Sequence, residues 1–92
     1  MKKERLKRIR FPLSDGTLLT VHYWLLTQQR GEKKWFGIAL TDNRGASVSL
    51  PAISLSRWET TRLLYRMAKG YVTTVTARDV VADYLWERRA RE

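Results

Sequence analysis

Residues 17–50, "TLLTVHYWLLTQQRGEKKWFGIALTDNRGASVSL", decide how the chain folds. In residues 17–27, Leu19, Val21, Tyr23 and Leu25 fall on one side, with Leu18, Thr20, His22, Trp24 and Leu26 on the other. A period of two is that of a half-buried strand. "QQRGEKK" (28–34) interrupts it, and residues 35–41 resume it with Phe36, Ile38 and Leu40 inward. "DNRG" (42–45) reads as a second turn, after which Ala46, Val48 and Leu50 point inward until Pro51 ends the run. Upstream, "RIRFPL" (8–13) sets Ile9, Phe11 and Leu13 against Arg8 and Arg10. It leads into "SDG" (14–16), where Gly16 accepts a positive φ and Asp15 tolerates one. Four short alternating runs joined by turns predict a four-stranded antiparallel meander.

The rest of the chain changes period. Ser56 followed by Glu59 has the spacing of a capping box. "RWETTRLLYRMAK" then runs to Gly70, a candidate C′ glycine. Thr76 and Asp79 repeat the start signal before "ARDVVADYLWERR". There Ala77, Val80, Val81, Tyr84 and Leu85 share one helical face. Strands followed by helices predict an α+β fold, a four-stranded antiparallel meander with two helices packed on one sheet face. The 92 residues suffice for a single domain, 1–92, with 1–7 expected as a basic, flexible arm.

Charge is the other dominant feature. Eighteen Lys and Arg oppose nine Asp and Glu, a net +9. Such a field attracts nucleic acid, acidic lipid or acidic protein without choosing among them. The chain has no cysteine, which removes disulfides, thiolate zinc sites and a Cys nucleophile. No apolar run approaches the roughly 20 residues of a membrane span. No apolar stretch follows the charged N-terminus as a signal peptide requires, so a cytoplasmic protein is expected. The sole histidine, His22, sits mid-strand without a partner for catalysis, and Gly31, Gly37 and Gly45 do not form a phosphate loop. Asp79, Asp83 and Glu87 share a helical face, but one helix rarely supplies enough oxygens for a cation. No enzyme, cofactor, metal or small-molecule substrate is expected.

Three surfaces are candidates for binding. If Leu13 pairs with Thr17, Arg8 lies opposite His22 and Arg10 opposite Thr20. Trp24 and Trp35 then project from the same outward face. Cations beside indoles suit single-stranded nucleic acid, at about 1–3 kcal/mol per stacked base. The structural alternative is that Trp24 covers Gly37 and Trp35 packs across Leu26. Lys2, Lys3, Arg5 and Lys7 would add phosphate contacts from the arm. On the first helix, Arg62, Arg66 and Lys69 form a basic stripe flanked by Trp58 and Tyr65, with Glu59 able to serve only Arg62. Its counter-charge is phosphate, solvent, or the Asp79–Asp83–Glu87 stripe, within the chain or between copies. Trp86 stands beside the acidic stripe, facing a protein partner, a second subunit or the chain's own N-terminal segment, unless it folds back on the core. These surfaces point to a non-enzymatic nucleic-acid-binding module, or alternatively to a protein-interaction or regulatory module that dimerises or docks through its helices.

"HYWLLTQQRGEKKWFGIAL" and "ARDVVADYLW" also resemble the paired signatures of a small bacterial domain-of-unknown-function family. There an aromatic-Leu-Thr strand end is followed by an aromatic-Gly-Ile strand and an Asp-Val-x-x-Asp helix. The resemblance spans residues 22–86. It implies no catalytic residue, and the N-terminal basic segment lies outside it.

Overall fold

Alternation in the first half of the chain produces one antiparallel sheet in the order β1-β2-β3-β4. The computed structural model describes residues 1–91. Its strands are β1 (Lys2–Pro12), β2 (Leu18–Arg30), β3 (Lys33–Asp42) and β4 (Ser47–Ser54), followed by helices α1 (Arg57–Lys69) and α2 (Ala77–Arg91). The α+β architecture is the one the pattern predicts. Both helices lie on one sheet face, where Leu63, Leu64, Met67, Ala68, Ala77 and Val81 close over Leu19, Val21, Tyr23, Ile38 and Leu40. The opposite, outer face carries no helix.

The first turn forms as expected, with the Leu13 N–H donating to the Thr17 carbonyl at 2.8 Å. Gly16 there takes φ +84°, and the Asp15 carboxylate accepts from the Thr17 N–H and hydroxyl. Residues 2–7, expected as a flexible arm, are instead the first half of β1, with Lys2 opposite Thr27 and Arg5 opposite Trp24. Pairing against the long β2 satisfies backbone groups that an arm would leave in water. Pro51 does not end β4 either. Pro51, Ala52 and Ile53 stand against Gly37 alone, with Phe36 opposite Ser54 and Ile38 opposite Leu50. The extra residues form a bulge in which Ala52 adopts φ +59°. Gly37 permits it, because a Cβ there would lie 2.5 Å from the Leu50 carbonyl oxygen and 2.6 Å from the Pro51 Cα.

Helix α1 starts where the sequence indicates, the Ser56 hydroxyl accepting from the Glu59 N–H at 3.1 Å. The reciprocal half of the box is relayed. The Ser56 N–H donates to the Ser54 hydroxyl, which donates to the Glu59 carboxylate at 3.2 Å. Glu59 does not serve Arg62. It accepts from the Tyr84 hydroxyl and pairs with Arg88 at 3.4 Å, joining the end of β4 to both helices. At the other end of α1, Gly70 has φ −88°, and the left-handed residue is Tyr71 at φ +55°. The Val72 and Tyr71 N–H groups return to the Met67 and Ala68 carbonyls, the bonds of a Schellman motif one residue late. Tyr71 meets Phe11 edge to face at 5.4 Å, a contact that offsets the strained backbone. The Thr76 hydroxyl accepts from the Thr73 N–H rather than closing a box on Asp79.

Two outcomes follow from this packing. Gly37→Ala forces Cβ into the β4 backbone and lowers stability by about 2–3 kcal/mol in urea unfolding. Burial pushes the Tyr23 and Tyr84 hydroxyls up to about 12 from the ordinary 10.0, and the Glu59 hydrogen bond adds to the shift at Tyr84. A raised phenol favours the un-ionised fold, so this stability is intact below pH 10 and is lost as pH climbs toward about 12. Tyr84→Phe, less stable at neutral pH, shows a shallower alkaline decline when urea midpoints are compared across that window.

Candidate functional site

The outer face is assembled by register. Arg8 lies opposite His22 and Arg10 opposite Thr20, so both point away from the helices. Lys3 and Arg5 are odd-numbered, and strict alternation from Arg8 would turn them inward. A bulge between Arg5 and Lys7, with Leu6 as the extra residue, shifts the phase by one. Lys3 then pairs with Leu26 and Arg5 with Trp24, which puts both cations on the outer face. Leu6 packs against the core. Lys2 and Lys7 do not join this face, because they stand opposite the inward-facing positions Thr27 and Tyr23. At the far end, Arg30 pairs with Lys33, again in outer register.

Trp24 and Trp35 share this face, the latter opposite Gln28 and one step diagonal from Leu26. Both indoles are half-buried, between the two extremes the sequence left open. Trp24 Nε1–H donates to the Thr41 hydroxyl at 3.0 Å, so its ring reaches across β3. Ala39, directly opposite Trp24, is 5% exposed, and Leu26 is 4% exposed. With both helices on the other side, the indoles are the cover available to these residues. The Lys3 ammonium sits 4.4 Å from the Trp24 ring centroid, a cation–π contact. Trp24 thus orients Lys3 as well as covering the sheet. Gly37 stands opposite Leu26, one diagonal from Trp24. Gln28 Oε1 is buried without a hydrogen-bond partner among the described residues.

His22 occupies the centre of the basic strip. Arg5 Nη1 lies 3.5 Å from His22 Nδ1, a contact that is a hydrogen bond in the tautomer whose Nδ1 carries no proton. Trp24 is tilted against it at 6.4 Å. Desolvation, followed by the positive charges of Arg5 and Arg8, lowers the His22 pKa below its usual value. Across the described strands no Asp or Glu takes an outer-face position. Glu4 and Asp42 are in inner register, Glu4 paired with Arg57 at 2.6 Å and Asp42 accepting from the Thr74 hydroxyl. Asp15 and Glu32 lie in turns.

The helix surfaces are separate from this one. Arg66, Asp83 and Glu87 line a cleft of about 240 Å³ between α1 and α2, floored by Leu63, Met67 and Val80. Among the described residues no ion pair joins the basic stripe to the acidic one. The pairs formed are Arg44–Asp15, Arg57–Glu4 and Arg88–Glu59. Arg62 stacks over Trp58 at 5.0 Å, and Trp58 remains 69% exposed. Trp86 is 71% exposed, so it does not fold back on the core. Asp79 is exposed at the start of α2 and does not line the cleft. The bulge at Leu6 is the feature of this face that sequence reasoning missed. Its signal was a slip in apolar phase, from even Leu6 to odd Ile9 and Phe11.

A family model matches residues 2–87, that of a family of unknown function designated DUF6514. No curated protein and no solved structure matches the chain.

Proposed function

We propose that this chain, which belongs to the DUF6514 family, is a non-enzymatic module that binds single-stranded nucleic acid on the outer face of its sheet. One observation carries the reading: the segregation of charge. Lys3, Arg5, Arg8, Arg10, Arg30 and Lys33 share an open sheet face that holds no carboxylate among the described residues, although the chain has half as many acids as bases. A surface meant only for solubility intersperses its signs. Cations alone on a face match a row of phosphates. Trp35, the indole without a cation against its ring among the described contacts, is the better placed to stack on a base. Trp24 holds Lys3 over its face and contributes chiefly by fixing that ammonium. The lone imidazole stands among guanidiniums with no carboxylate among the described residues to orient it, an arrangement for contact rather than for general-base work.

A second reading, docking of a protein through the helices, is favoured by the indoles of Trp58 and Trp86, exposed at 69% and 71%. In that reading the chain self-associates through α2, and Trp86→Ala sediments as a smaller species than the parent protein. Equal sedimentation of the two counts against self-association.

The nucleic-acid reading is tested by fluorescence titration of a mixed-sequence oligonucleotide across a salt series. Affinity falls log-linearly with salt, with a slope of about −0.7 per phosphate contact. Arg8→Gln/Arg10→Gln flattens the slope by about 1.4 and weakens binding. Arg62→Gln/Arg66→Gln on α1 leaves the slope unchanged. No binding at about 50 mM salt, or equal losses from both double variants, refutes the reading.

A further inference from the structure

From the geometry around the Leu6 bulge we infer that Arg5, Arg8 and His22 form a phosphodiester-binding cradle in which the imidazole takes up a proton as the ligand binds. The inference rests on the nucleic-acid reading and names the atoms that would receive one backbone phosphate.

An ordinary strand separates successive outward residues by one position. Here two inward-facing residues, Leu6 and Lys7, lie between outward Arg5 and Arg8. The bulged strand bends at this point. Arg8 is directly opposite His22, and Arg5, opposite Trp24, reaches back to within 3.5 Å of His22 Nδ1. The Arg5 guanidinium therefore reaches the imidazole while Arg8 stands directly opposite it, both from the β1 side. Guanidinium forks match phosphate oxygens, and both arginines are exposed, so a ligand reaches them without rearrangement of the core.

In the free protein the surroundings of the imidazole favour its neutral state. Its Nδ1 stands 3.5 Å from Arg5 Nη1, a donor that only an unprotonated Nδ1 accepts. The groups facing it are all neutral or positive. Arg5 and Arg8 lie on β1, Thr20 and Trp24 are its same-face neighbours on β2, and Thr41 is opposite on β3. Lys3 lies beyond Trp24. With no carboxylate among the described residues facing it, a second proton on the ring meets repulsion, in keeping with its depressed pKa. A phosphate oxygen placed between the guanidiniums reverses that field. It draws Arg5 off Nδ1 and gives the protonated ring an acceptor for an N–H. The proton comes from solvent, no covalent bond changes, and the charge of the phosphodiester is met by three donors.

The linkage has a definite sign. A ligand that raises the pKa of a group binds more tightly as pH falls from the bound-state pKa toward the free-state pKa. At most one proton is involved, so affinity gains at most tenfold per pH unit. Above that window the ring is neutral with and without ligand, and Arg5 and Arg8 act alone.

His22 is the only histidine, so its ring signals need no assignment strategy. The probe is an oligothymidylate about 15 nucleotides long, long enough to span the sheet face. The His22 titration is followed by nitrogen-correlated NMR in the free and bound protein, alongside binding curves from about pH 8 to about pH 5.5. The bound protein should show His22 titrating at higher pH than the free one, with affinity rising severalfold on acidification. His22→Gln should keep the alkaline affinity, lose the acid gain and retain the parent circular dichroism spectrum. Inorganic phosphate alone should produce the same upward shift at millimolar concentration. Oligonucleotide binding with an unmoved His22 titration overturns the cradle and leaves the wider reading standing. Absence of binding at every pH at low salt overturns both.

Discussion

One extra residue in β1 governs what this molecule presents to its surroundings. Because Leu6 occupies a bulge, the strand changes phase between Arg5 and Arg8, and cations from both halves reach the same side of the sheet. Without that slip, Lys3 and Arg5 would face the helices, where burying a charge without a partner costs several kcal/mol. Glu4 would move outward and break the run of positive charge, and Arg57 would lose its partner at 2.6 Å. The bulge also lets Leu6 reach the core, so the same irregularity serves packing and charge placement.

The indoles show how a small protein covers a sheet face that has no helix over it. Leu26 and Ala39 stand on that side, yet both are nearly inaccessible. Trp24, fixed by its bond to Thr41, provides apolar cover while keeping its polar edge satisfied. On the opposite side, Glu59 ties the end of β4 and both helices into one hydrogen-bonded unit. The face proposed to bind is therefore supported from behind by the buried cluster under the helices, which limits the conformational entropy lost on engagement.

Much of this was legible in the residues. Strand periodicity from Leu19 to Leu40 fixed the meander, and the turn at Gly16 fixed the pairing of Arg8 with His22. Ser56 marked the start of α1 correctly. The failures share a cause: each turns on a tertiary contact that local spacing does not show. Pro51 reads as a stop, yet β4 continues past it because Gly37 opposite lacks a side chain. Gly70 reads as the left-handed cap, yet Tyr71 takes that conformation and packs its ring on Phe11. The basic N-terminus reads as a tail because charge masks its strand pattern, while the length of β2 supplies it with a pairing partner. Glu59 was assigned to a helical neighbour because residues on distant elements, Ser54 and Tyr84, cannot be placed beside it by spacing alone.

The broken outer strands have a further consequence. An exposed sheet margin normally invites another chain to extend the backbone ladder, the first step toward aggregation. Here neither margin is regular: β1 is kinked at Leu6 and studded with like charge, and β4 is interrupted where Pro51 withholds a donor and Ala52 turns to φ +59°. An incoming strand would find mismatched spacing along either border. The molecule can therefore keep one broad sheet face open to water without becoming a template for its own polymerisation.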